Sequence, residues 1–268
     1  MVRTLLIRGM LVGVVAAVLA FVVAKVFGES EVGLAIAFES AHEAPGAVAE
    51  PEVVSRTVQS TIGLFTGLLA FGVAVGGLFS LVYAVAQGRL GALRARTTAG
   101  LVALAGFAGM YLLPNLKYPA NPPAVGNPDT IGERTSLYFA AMLISLAVVV
   151  GGFVAARRLA PRFGSWDAAL LALVGALVVI GLAYYALPAA DETPEGFPAD
   201  VLWRFRVDSL AIQATLWATV GLLFGALTER ANRPAPVRTP GAAPAPVPAL
   251  AAGEAPTASG GSPVATGA

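Results

Sequence analysis

Six stretches of this chain, Gly9 to Ala24, Thr57 to Gln87, Thr97 to Leu116, Thr135 to Ala156, Ala168 to Ala190 and Ser209 to Thr228, contain no Asp, Glu, Lys or Arg. A helix that crosses a bilayer needs about 20 predominantly apolar residues in succession. The first window gains length from Leu5 to Ile7 if Arg8 snorkels past it. It is too long for a secretory signal, and it ends at Lys25 with no small-residue cleavage pattern. The windows predict an all-α, polytopic membrane protein with six transmembrane helices, at about 5–26, 61–86, 97–116, 136–156, 168–188 and 209–228.

Composition closes off the main alternative. Of the 268 residues 57% are hydrophobic and 12% charged, against roughly 25% charged in soluble domains, so a soluble enzyme is excluded. The net charge of +1 and the scattered basic residues give no nucleic-acid footprint. With no cysteine, disulfides, thiolate catalysis and sulfur-ligated metals are impossible.

Cytoplasmic loops retain Lys and Arg. With the amino terminus inside, the inner segments hold Arg3 and Arg8, then Arg89, Arg94 and Arg96, then Arg157, Arg158 and Arg162, then Arg230, Arg233 and Arg238. The only acids there are Asp167, Glu229 and Glu254, while 13 of the 16 acids fall on the other face. Six spans with both termini cytoplasmic is the expected topology. Residues 1–228 form the membrane domain, and 229–268, rich in Pro, Ala and Gly, are expected to be a disordered cytoplasmic tail.

Lipid provides no hydrophobic drive for helices to associate, so close packing falls to small residues. Glycines recur four apart at Gly9 and Gly13, Gly63 and Gly67, Gly72 and Gly76, and Gly221 and Gly225. That pattern predicts central positions for helices 1, 2 and 6. A second pattern marks the helices that re-enter from the acidic side, which open with Arg56, Arg134 and Arg206. An Arg there faces the positive end of the helix dipole, a penalty of up to about 1 kcal/mol, so an acidic partner is expected. Nearby carboxylates such as Glu52, Glu133 and Asp208 are the simplest source.

Catalysis finds little support. No ionisable side chain other than Tyr lies in the windows, whose polar groups include Thr66, Ser80, Tyr83, Tyr138, Ser145, Tyr184 and Gln213, whereas ion-coupled carriers keep charge at depth. Neither Lys25 nor Lys117 sits in a phosphate-binding Gly-Lys-Ser/Thr context. The single His42 rules out a two-histidine zinc motif, and no Gly-x-Ser-x-Gly elbow occurs.

The loops on the acidic face carry the remaining chemistry. In AIAFESAHE, Glu39, His42 and Glu43 fall at i, i+3 and i+4 and would share one helical face. Imidazole with carboxylates suits divalent first-row metals, although a solvated amphipathic segment is the ordinary reading of the spacing. The second and third loops are dense in proline, which presets backbone shape. Their Asn121, Asn127, Asp129, Asp191, Glu192 and Asp200 can make turns and pair with Lys117, Arg134, Arg204 and Arg206.

RTLLIRGMLVG at the start, KVFGES and AIAFESAHE in the first loop, EVVSRTVQSTIGL entering helix 2, LKYPANPPAVGNPDTIG in the second loop and FPADVLWRFR in the third together resemble the CbtA family. That family is the larger membrane subunit of a proposed bacterial cobalt uptake system, linked to cobalamin biosynthesis and usually described with five spans. The resemblance covers roughly residues 1 to 228. It implies metal permeation with a small, histidine-bearing, single-span CbtB partner. The expectation is then a permease subunit in the bacterial inner membrane for uptake of cobalt or a similar divalent cation, not an enzyme, with no permanently bound cofactor. The ion would be held transiently by Glu39, His42 and Glu43, with Asp129, Asp191 or Asp200, and would pass along hydroxyls, carbonyls and the helix 2 glycines. The alternative is a non-transporting membrane scaffold for a metal-handling or cobalamin-pathway complex.

Overall fold

The computed structural model describes residues 2–42, 54–190 and 192–232. Among them there is no strand, and six helices are long and apolar enough to cross a membrane: α1 (Val2–Ala41), α2 (Arg56–Ala86), α3 (Ala95–Lys117), α4 (Pro128–Phe163), α5 (Ser165–Ala186) and α6 (Ala199–Ala231). Several run well past the apolar windows. The polar flanks are made of good helix formers and contain few breakers, so the hydrogen-bond ladder continues beyond the lipid boundary. The first loop therefore begins as helix, with Glu29–Ala41 prolonging α1.

Where helices stop, local chemistry is visible. Asn127 accepts the Asp129 N–H through its side chain at 2.9 Å, and Pro128 follows it at the start of α4. Only Gly164 separates α4 from α5, and its φ of 81° is a left-handed conformation that glycine adopts without strain.

The bundle is ordered by small residues. The backbones of α1 and α2 touch where Gly9 and Gly13 meet Gly76 and Gly72; a Cβ on Gly72 would lie 2.6 Å from the Gly13 carbonyl oxygen. On the opposite side α6 meets α3, where Gly221 accommodates the Ala103 methyl and Gly225 lies under Ala99 and Arg96. With α1 also packed on α6, these four helices enclose one core, filled by Val12 and Ala16 of α1, Phe79 and Tyr83 of α2, and Leu216 and Phe224 of α6. Phe224 meets Phe79 and Tyr83 edge-on, at centroid distances of 5.2 and 4.9 Å. The α4–α5 hairpin attaches through α4 to α3, where Leu146 packs against Gly109. Thus α1 and α6 are central, as the glycine spacing suggests, and α2 flanks α1. The Gly63 and Gly67 pair is not a packing face, since nothing lies within 4 Å of a Cβ on Gly67.

Three helices contain a π-helical turn, at Ala24–Gly28 in α1, Gln59–Gly63 in α2 and Ala108–Leu112 in α3. Such turns displace carbonyls from the regular ladder. The first two are tied together: Lys25 donates to the Ser60 carbonyl at 3.3 Å and to its hydroxyl at 3.2 Å. At the arginine-rich end, Arg8 donates to Thr228 Oγ1 at 2.9 Å, Arg96 pairs with Glu229 at 3.5 Å, and Arg157 donates to the Arg89 carbonyl.

Candidate functional site at the acidic end

The acidic end is a structured cap. The α3–α4 and α5–α6 loops are proline-rich, and with the extension of α1 they bury a small cluster: Ala35 and Phe38 from that extension, Val125 from the α3–α4 loop, and Phe197 and Val201 at the entry to α6. Lys117 and Tyr118 anchor the α3–α4 loop to the end of α5, donating to the carbonyls of Leu187 (2.9 Å) and Pro188 (2.8 Å). Gly126 is required twice over: its φ is 122°, and a Cβ there would collide with the Arg134 guanidinium.

The three arginines that open re-entering helices organise this cap, with partners distant in sequence. Arg56 pairs with Glu29 at 2.7 Å, joining α2 to α1. Arg134 pairs with Glu192 at 3.3 Å and donates to the Asn127 carbonyl at 3.0 Å, joining α4 to both loops. Arg206 donates to Asn121 Oδ1 at 2.9 Å, so its partner is an amide rather than a carboxylate. None of these three contacts uses the neighbours expected from sequence, Glu52, Glu133 and Asp208, of which Glu52 lies outside the described residues. Hydrogen bonding with Thr130, the Asn127 N–H at 2.6 Å and the Arg134 charge hold the Glu192 carboxyl below its ordinary range.

Of the six expected metal-binding residues, the four that the structure describes, Glu39, His42, Asp129 and Asp200, do not gather into one cluster. Glu39 is exposed near the end of α1. That helix ends at Ala41, so a helical face does not extend through His42, whose ring turns back to stack on Phe38 with centroids 4.1 Å apart. His42 Nδ1 lies 2.8 Å from the Phe38 carbonyl. A carbonyl only accepts, so Nδ1 carries a proton, which leaves Nε2 as the ring nitrogen available to a metal. Asp129 is exposed in the turn that opens α4, and Asp200 is exposed in the first turn of α6. Glu43 and Asp191 lie outside the described residues. Among the described residues no three His, Asp or Glu side chains stand close enough to hold a metal ion together.

Sequence reasoning gave no special weight to Glu31. It is 5% exposed, more buried than the other described acids of this face, and its Oε2 has no hydrogen-bond partner. Its spacing of four from Ala35 and seven from Phe38, on the stripe that faces α6, was the available signal.

Two hollows open at this end. One, about 350 Å³, is lined by Tyr118, Asn121, Arg134, Thr135 and Tyr138. Of this lining, Tyr138 interacts electrostatically with Tyr111 and Tyr184, and Ser145 and Tyr184 share a 2.6 Å hydrogen bond. The other, about 270 Å³, lies between α1 and α6. The glycines at the α1–α2 seam offer no comparable space. Gly72 and Gly76 are closed against the backbone of α1, which corrects the expectation that they expose carbonyls to a moving ion.

Residues 2–229 match the family described as "Probable cobalt transporter subunit (CbtA)". The chain belongs to the CbtA family. No curated protein and no solved structure is significantly similar to it. The match takes in all six helices and stops near the end of α6, so the membrane domain is the family's unit. This is a family of transporter subunits rather than of enzymes, and the chain is a multi-pass membrane protein.

Proposed function

We propose that this chain is the larger subunit of a permease that takes up cobalt, or a similar divalent cation, across the bacterial inner membrane, with a single-span, CbtB-like partner and both termini in the cytoplasm. The observation that carries the reading is the family match over residues 2–229, coincident with six membrane-crossing helices. The charge asymmetry supports the topology, since the arginine-rich end meets the rule for cytoplasmic segments.

A one-signed mouth raises local cation concentration. Glu39, His42, Glu43, Asp129, Asp191 and Asp200 form that rim and hold the ion in passing, with His42 offering Nε2. Cobalt is cargo here, not a resident cofactor. The core shared by α1, α2, α3 and α6 is filled by apolar and aromatic side chains, so the ion moves along the hydroxyl-bearing side where α4 meets α3, with the partner completing the path. Ligands from the partner offset the scarcity of buried charge in this chain.

The same packed core favours one rival, a scaffold that anchors the partner without moving metal. Cobalt accumulation in cells lacking other uptake routes separates the two. With this chain and its partner present, accumulation rises above that of empty cells and falls in the His42→Ala variant at equal membrane abundance. A scaffold binds the partner without metal and leaves accumulation at the empty-cell level.

A further inference from the structure

The cleft between α1 and α6 is lined by Ser30 and Glu31 on one wall and by Trp203, Arg204 and Asp208 on the other. Glu31 is the unusual member. A carboxylate oxygen withdrawn from water and left without a donor is costly, and such groups in native proteins call for an explanation. Arg204 lines the same cleft, yet no ion pair joins it to Glu31. Ser30 uses its proton on the Phe27 carbonyl at 2.8 Å, which leaves its oxygen lone pairs available. The cleft thus brings together two carboxylates and a hydroxyl, an oxygen-only set, in a space of about 270 Å³ that also has room for water.

We infer that this cleft is a divalent-cation site distinct from the His42 rim, with Glu31 and Asp208 as the carboxylate ligands and Ser30 as a hydroxyl ligand. The site takes a hydrated first-row divalent ion, such as Co²⁺, that keeps several of its waters. A site with few protein ligands binds loosely enough to release its ion, which suits a loading point at the acidic mouth, ahead of the lane beside α3 and α4. Arg204 provides the opposing charge: it offsets part of the acidic field and lowers affinity. Identifying the bound ion with the transported one rests on the proposed permease function. Binding itself does not.

The test uses the full chain in nanodiscs with Co²⁺ as the probe, read by calorimetry and by tryptophan fluorescence. Trp203 lines the cleft and is 69% exposed, so a paramagnetic ion bound there quenches it. Native protein is expected to show saturable quenching. Glu31→Gln, which keeps the shape of the side chain, raises the apparent Kd at least tenfold, and Asp208→Asn raises it as well. Arg204→Gln, at an exposed position, lowers it. Trp203→Phe removes most of the optical signal while the calorimetric affinity stays native.

Native affinity in Glu31→Gln overturns the site. Should that variant fail to fold, unchanged affinity in both Asp208→Asn and Arg204→Gln overturns it equally. Cellular cobalt accumulation measured in parallel separates this result from the permease reading. Accumulation by the native chain with binding indifferent to Glu31 rejects the site alone. Glu31-dependent binding with no accumulation upholds the site and rejects the permease.

Discussion

Replacing a glycine by alanine on α2 should have opposite effects at two positions nine residues apart. In an exposed helix interior the change gains up to about 1 kcal/mol in helix propensity. Gly67 is such a place, with nothing within 4 Å of the added methyl. At Gly76 the same methyl would stand 3.0 Å from Gly13 Cα and closer still to the Gly9 carbonyl oxygen, where ordinary contact begins at 3.4 Å. Both obstacles are backbone, so no side chain can rotate away and α1 must move off α2. Overpacking of this kind costs about 1–3 kcal/mol, which offsets the propensity gain and leaves a net loss of up to about 2 kcal/mol. For a chain of this size roughly 2–4 °C in Tm accompanies each kcal/mol. Thermal unfolding of the purified protein in detergent, followed by tryptophan fluorescence, should place Gly76→Ala several degrees below native and Gly67→Ala at or above it. Equal melting of the two variants would refute the claim that α1 and α2 are in backbone contact at this seam.

Further outcomes follow from the polar contacts and the core. Glu192 is held below its ordinary pKa, so the stability it contributes is present above its unfolded value and disappears as pH falls through the folded one. Thermal scans from neutral pH into acid should show that loss in native protein, and Glu192→Gln should flatten it while lowering stability at neutral pH. Ser145→Ala removes the 2.6 Å bond to Tyr184 and should destabilise by about 0.6 kcal/mol, the usual scale for such bonds between membrane helices, measurable by unfolding in mixed detergent. Phe224→Ala deletes a fully buried ring and two edge-on partners, and should lower stability by about 3–5 kcal/mol in the same assay.

What the sequence disclosed follows from how each property is encoded. Six apolar windows are averages over some twenty residues, so they survive ignorance of tertiary contacts, and six helices result. Glycine spacing marked the seams at Gly9, Gly13, Gly72, Gly76, Gly221 and Gly225, but could not distinguish them from Gly67, where no neighbour arrives. The re-entry arginines were legible as a problem of charge at helix starts. Their partners were not, because Glu29, Glu192 and Asn121 lie 27, 58 and 85 positions away and meet them only once the loops close. At the candidate site, spacing placed Glu39, His42 and Glu43 on one helical face, whereas the helix ends at Ala41 and His42 stacks back on Phe38. Glu31 reads as one acid among many until α6 covers it.

The permease reading faces its most direct measurement in proteoliposomes. The full chain and its single-span partner would be reconstituted together around a trapped metal-quenched dye, and Co²⁺ added outside. The account predicts quenching that exceeds that of protein-free vesicles and requires this chain. Quenching no faster than in protein-free vesicles, with both proteins shown to be inserted, would contradict it.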